Sequence, residues 1–368
     1  MTTRRGLAIG CGGILGFAWT AVALAAVERA LDWDARTAEV LIGTSAGAEI
    51  AAALGSGRTP ADLLAALDGA PATDPVLTRH VAVDPGRVPP LPAPALPGLG
   101  LIGAGLRTGS PYTALAGLLP RGRGDARWLR DFGSALTEPG AFGGRPERGN
   151  APAANARGAK LSASPDAAAD AGTGSPADGR GRTGAVPGQA ARAWVDHPAT
   201  WLVAADAATG DRVAFGSPGA PPADLGAAIA ASWAIPGWFP PVRIAGRDYV
   251  DGGAVSSVSA DLLLPLELDE VVVVAPMTSA GGAPARGLDR AERLLRRQMT
   301  RGLDREVAAL RAAGTRVIRV EPSLVDLAVM GPNFMEFSRR AATLEIARRT
   351  TSTRVAAAIR AAHEGATV

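Results

Sequence analysis

Short apolar runs and longer amphipathic or Ala-rich runs take turns along the first third of the chain. Residues 7–9 read as a strand, followed by a Gly-rich loop and an apolar helix over 17–31. A second apolar run at 39–42 ends in a sharp turn, and an Ala-rich helix is predicted over 46–55. Strand, loop, helix, repeated, predicts parallel βαβ units with helices on both faces of a sheet. A short helix follows over 59–69, with Thr59 as N-cap and Pro60 at its first position. The pattern resumes at 200–215, where TWLVAADAATGDRVAF predicts two strands joined by a turn at 206–210. A helix near 222–232, a turn at 245–247 and a short strand at 248–250 come next. DEVVVVAPM, residues 269–277, is a β-branched run of the kind found in strands covered on both faces. A basic amphipathic helix over 285–313, a last strand in TRVIRVEP and a last helix over 335–363 complete the series. The predicted class is α/β with a mostly parallel central sheet.

Two stretches break the pattern. Between 79 and 120 the chain is apolar yet full of Pro and Gly, as in VPPLPAPALPGLGLIGAGL, and predicts neither helix nor strand. It reads either as a cover over a hydrophobic pocket or as a tolerated surface insertion. Residues 143–193 have almost nothing to bury and predict a disordered, low-complexity insertion. The expected organisation is one domain split by that insertion into 1–142 and 194–330, with a C-terminal helix over 331–368.

Composition narrows the function. A formal charge of only +3 over 368 residues gives no electrostatic footprint for nucleic acid, and 4% aromatic residues leave little to stack on bases. The single cysteine, Cys11, rules out a disulfide framework and fits a reducing, cytoplasmic setting. No acidic cluster suggests a metal, and no cofactor motif is expected. From residue 7 to 27 there is no charge, which is long enough for a membrane anchor. Glycines at 10, 12, 13 and 16 argue instead for a tight strand-to-helix loop leading into a buried helix.

Three motifs carry candidate chemistry. Gly43-Thr44-Ser45-Ala46-Gly47 is a G-x-S-x-G placed between an apolar run and a helix-forming segment. The motif puts a nucleophilic serine on a strained turn where only glycine fits on either side. A serine needs a base, and the chain offers only His80, His197 and His363. Each reads as an incidental surface histidine. Asp251, in YVDGG, stands at a predicted strand end before Gly252 and Gly253. A partly desolvated carboxylate held against the serine hydroxyl can accept its proton. The same aspartate could merely cap its own turn. GCGGILG, with Gly10 and Gly16 at its ends, presents backbone N–H groups suited to an oxyanion and does not have dinucleotide-loop spacing.

These three motifs, together with the block ASWAIPGWFPPVRIAGRDYVDGG, resemble the patatin-like phospholipase family in order and in kind. The resemblance runs over 6–78 and 200–277. It implies a three-layer α/β/α fold and a Ser-Asp dyad without histidine, with Ser45 as nucleophile and Asp251 as base. It implies an oxyanion hole from the backbone of Gly12 and Gly13 with Cys11 and Ile14. The implied substrate is a lipid or other acyl ester, hydrolysed as a rule without a metal; peripheral contact to a membrane surface is a separate expectation. Two positions depart from the family. Leu15 stands where a basic residue is usual, which turns the expectation from phosphate-bearing headgroups toward neutral esters, glycerolipids or envelope lipids. Glu49 stands where Asn or a similar residue is common. The alternatives are acyl transfer to a second alcohol, a non-catalytic lipid-binding protein of the same fold, and a Ser-His-Asp esterase using His363.

Overall fold

The computed structural model describes residues 3–71, 73–138, 194–279 and 289–364. The insertion expected over 143–193 lies outside these residues. Eight strands form one mixed sheet: β1 (Arg5–Ile9), β2 (Val40–Thr44), β3 (Thr200–Asp206), β4 (Arg212–Phe215), β5 (Val242–Ile244), β6 (Arg247–Asp251), β7 (Glu270–Val274) and β8 (Arg316–Val320). The run β3-β2-β1-β7-β8 is parallel throughout, and β4, β5 and β6 add antiparallel pairs at the β3 end.

The helices are α1 (Gly13–Leu31), α2 (Ala46–Gly55), α3 (Pro60–Asp68), α4 (Pro75–Val81), α5 (Leu99–Thr108), α6 (Pro111–Leu118), α7 (Arg127–Thr137), α8 (Leu225–Ser232), α9 (Asp289–Ala312), α10 (Leu324–Met330) and α11 (Arg340–Glu364). Alternation along each strand divides the core into two layers, because successive side chains leave opposite faces. Leu7, Ile9, Leu41, Leu202, Val272 and Ile318 pack under α1, α2, α8 and α11. Ala8, Ile42, Val203, Val271 and Val317 face the other way, toward α9 and the 3-10 segment Ala260–Leu266. The architecture is three-layer α/β/α, as expected.

The long apolar helix α1 meets the length and composition of a membrane span, yet most of it is buried inside the fold. It begins at Gly13, four residues before the predicted start, because Gly13 takes the positive φ of +56° needed to leave the strand. The 79–120 stretch is a correction: it holds the end of α4 and all of α5 and α6. The signals were local. Ser110 caps α6 through the N–H of Thr113, Pro111 sits at its first position, and Gly109 ends α5 at φ +64°. This hairpin packs on β6 through Leu101, Ala116, Val250 and Ala254.

Candidate active site

The site begins with strand register. β3 pairs with β2 through Leu41↔Thr200 to Thr44↔Val203. On that same edge, beyond the end of β2, it pairs with the antiparallel β6 through Ala204↔Asp251. β4 occupies the opposite edge at Ala204↔Val213. So β2 and β6 meet head to head along one side of β3, and the residues at their tips, Ser45 and Asp251, fall at the junction.

Ser45 is held at φ +56°, ψ −121°, a conformation that side chains rarely adopt. Its N–H donates to Ser232 Oγ at 2.8 Å, and Ser232 in turn donates to the Val203 carbonyl at 2.6 Å. The flanking glycines are required by close approach. A Cβ on Gly43 would lie 2.2 Å from the Gly47 carbonyl oxygen, and one on Gly47 would lie 2.2 Å from that of Ile9. Gly252 likewise leaves room for the Val203 carbonyl, 2.6 Å from where its Cβ would be.

Asp251 is buried. Its carboxylate accepts the Gly253 N–H at 2.7 Å. Burial pushes its pKa up to about 7; the Gly253 N–H and the Ser45 hydroxyl pull it down, and the negative charge of Glu49 raises it further. A cavity of about 30 Å³ is lined by Ser45, Asp251, Gly12, Gly13 and Cys11 on one side. Tyr112, Met277, Met299 and Phe334 supply much of the remaining wall. It adjoins a cavity of about 570 Å³, and the two share Tyr112, Gly253 and Met299.

Of the first four amides of α1, those of Leu15 and Gly16 are taken, by the carbonyls of Phe334 and Gly12. The N–H groups of Gly12, Gly13 and Ile14 meet no protein acceptor among the described residues. Cys11 is a correction. Its N–H donates to the Ser257 carbonyl at 2.8 Å, so it has no proton to offer a ligand. Burial, with Asp251 nearby, raises its thiol well above the usual range, which keeps it protonated. Ile14 does not line the cavity that holds Ser45; it lines a neighbouring one of about 20 Å³ with Phe17, Glu49 and His80. Gly10 and Gly16 pack the loop down, with hypothetical Cβ atoms 3.1 Å from the Ser257 carbonyl oxygen and 3.2 Å from Pro276 Cγ. Gly253 sits with its Cβ direction on Cys11, 3.2 Å away.

No histidine lines the cavity that holds Ser45 and Asp251. His363 is exposed on the last turn of α11. His197 is half-buried, its Nε2 on the Ala38 carbonyl at 2.8 Å, where it ties the start of β2 to β3. Burial lowers its pKa. His80 is not a surface residue: it stacks on Phe132 with centroids 3.7 Å apart, and its Nε2 lies 3.0 Å from Glu49 Oε1. Glu49 is buried one helical turn beyond Ser45, and burial raises its pKa. Sequence reasoning missed this pair, and also Ser232, which lies within the block that carries the resemblance.

The chemistry such an arrangement allows is attack by a serine beside a buried carboxylate and free amides. A family model for patatin-like phospholipase matches residues 7–264, well over half the chain. The chain belongs to the patatin-like phospholipase family. No curated protein matches the sequence. Membership sets this patatin-like protein among lipid acyl hydrolases in general terms. The matched span stops before β7, β8 and α9 to α11, so two strands of the patatin-like sheet lie beyond it.

Proposed function

We propose that the protein is a serine lipid acyl hydrolase working through a Ser45–Asp251 dyad. The observation that carries this reading is the head-to-head junction of β2 and β6 on β3, which sets Ser45 and a buried Asp251 in one cavity without a histidine. Ser45 Oγ attacks the ester carbonyl as Asp251 takes its proton. The N–H groups of Gly12 and Gly13, with the positive end of α1 behind them, stabilise the oxyanion. Collapse expels the alcohol, which leaves with the proton from Asp251, and an acyl-Ser45 remains. Asp251 then accepts a proton from water as it attacks, and the fatty acid departs as Ser45 is restored.

The apolar wall of Met277, Met299, Leu295 and Phe334 suits an acyl chain. The adjoining cavity suits the rest of the substrate, since its wall carries Arg107, Arg305 and Asp211. The wall also carries Arg212, Asp261 and Glu306, so arginines and acids balance there and a polar headgroup fits as well as a neutral one.

Hydrolysis of p-nitrophenyl esters of increasing acyl length tests the reading. Wild type and His363→Ala should turn over. Ser45→Ala and Asp251→Asn should lose about 10³-fold or more, as for other nucleophile and base deletions. A dead His363→Ala enzyme would instead establish a triad, and a wild type inert on every ester would favour a binding protein of this fold.

A further inference from the structure

We infer that the outward face of the α5–α6 hairpin, with the 88–96 stretch beside it, docks this protein on an anionic lipid surface. The inference rests on the lipid reading above for its purpose, but its geometry is independent. Eleven large hydrophobic residues are exposed among the described ones, and eight of them fall between Val88 and Leu119. Leu91 and Leu96 are 87% and 93% exposed. On α5 the outward residues are Leu99 and Leu106, two turns apart; on α6 they are Leu115 and Leu118, with Leu119 exposed at its C-cap. Both spacings follow one helix face.

These leucines are not exposed for want of structure. The inner faces of the hairpin are tightly packed, with a Cβ on Gly105 falling 2.3 Å from the Ala114 nitrogen and one on Gly117 falling 2.6 Å from the Gly98 oxygen. Ala93 pairs with Arg121 and ties the preceding stretch to the end of α6. A rigid, built apolar face of this kind is an interaction surface rather than scattered exposure.

Charge names the occupant. From residue 85 to 124 there are four arginines and no acid. Arg87 pairs with Glu336, whereas Arg107, Arg121 and Arg123 are exposed and make no ion pair among the described residues. Leucines flanked by uncompensated arginines match the acyl and phosphate layers of an anionic leaflet. A second copy of this chain would set the same cations against each other across a two-fold interface. The hairpin also walls the large cavity through Ala104, Thr108 and Tyr112, so the docked face lies beside the way to Ser45.

Co-sedimentation of the full chain with phosphatidylcholine vesicles, with and without phosphatidylserine, tests this. Wild type should pellet with the anionic vesicles. Leu106→Ser/Leu115→Ser/Leu118→Ser should reduce partitioning by about tenfold or more on both compositions. Arg121→Glu/Arg123→Glu should reduce it by roughly tenfold or more on the anionic vesicles alone, at about fivefold per basic residue lost. Both variants should keep the wild-type melting temperature and the wild-type rate on a soluble short-chain ester. Failure of wild type to pellet, or unchanged pelleting of the leucine variant, overturns the proposal. So does a wild-type dimer, seen by sedimentation velocity, that the leucine variant converts to monomer, since the occupant is then a second copy. An enzyme inert on all esters that still pellets would sink the catalytic reading and leave the docking surface standing.

Discussion

A carboxylate at its ordinary pKa is a feeble base toward an alcohol, and the surroundings of Asp251 correct this. Burial pushes its pKa up to about 7, and buried Glu49 contributes in the same direction. The ionised form is the one that accepts the Ser45 proton, so kcat/KM on a soluble ester should rise with pH through about 7 and level off above it. Stability should run the opposite way. The folded state holds the Asp251 proton more tightly than the unfolded chain does. Between the ordinary carboxylate value of 3.8 and about 7 it therefore binds more protons, and stability falls as pH rises across that window. The full shift corresponds to roughly 4 kcal/mol, at 1.36 kcal/mol per unit. Asp251→Asn cannot ionise, so thermal melts should show it more stable than wild type at pH 8 and no more stable near pH 4. Equal melting temperatures at both pH values would remove Asp251 as a buried charge that costs stability. The residues legible in the sequence were those whose backbone imposes a rule. Ser45, Gly43 and Gly47 sit where a Cβ meets a carbonyl at 2.2 Å or where φ is positive, and such positions admit few side chains. Ser232 and the Glu49–His80 pair obey no local rule. Their partners are Ser45 and Val203 in one case, and an aromatic stack from α1 and α7 in the other, and only the assembled fold brings them near.

At the scale of elements, the Gly-rich loop is held from below. Pro276 fills the space above Gly12 and Gly16, with its Cγ 2.8 Å and 3.2 Å from their hypothetical Cβ positions. Arg296 on α9 fixes it, donating to the Pro276 carbonyl at 2.7 Å while its Nε rests on Glu292 at 2.8 Å. The guanidinium is 2% exposed, and burial lowers its pKa. Arg296→Ala should cost about 1–3 kcal/mol, since it leaves the buried Pro276 carbonyl without this donor while Glu292 keeps Arg293 as a partner. It should also lower kcat on esters more than it raises KM, because it loosens the amides rather than the acyl wall. Denaturant melts and steady-state kinetics on the same variant check both, and an unchanged kcat would disconnect α9 from the loop. Strands and buried helices were readable at this scale because period and β-branching survive burial. The predicted strands at 7–9, 39–42 and 269–277 became β1, β2 and β7. The α5–α6 hairpin is not legible in the pattern, because Pro and Gly, breakers inside an element, serve here as a first-turn residue and a C-cap. The sequence reading predicts neither β5 nor α10, although Ser323 and Asp326 form a full capping box at α10.

At the scale of the molecule, the apolar N-terminal run and the far C-terminal helix prove to be one structure. α1 and α11 pack side by side on the sheet, α11 also against β8, and Leu344, Ala347 and Val355 are buried in the same core as Trp19 and Leu24. That arrangement explains why a stretch with the composition of an anchor belongs inside a core, a fact no window of 19 residues reveals. The head-to-head meeting of β2 and β6 has a consequence for covalent continuity. Ser45 reaches the junction through strands that precede residue 138, and Asp251 through strands that follow residue 194. Their separation is set by rungs on β3 and not by the length of chain joining them. A single protease cut between residues 138 and 194 should therefore spare esterase activity while the two pieces remain associated on a sizing column. Expressed apart, each piece should be inert, and mixing them should restore turnover, as in a split reporter whose two halves report on their own reunion.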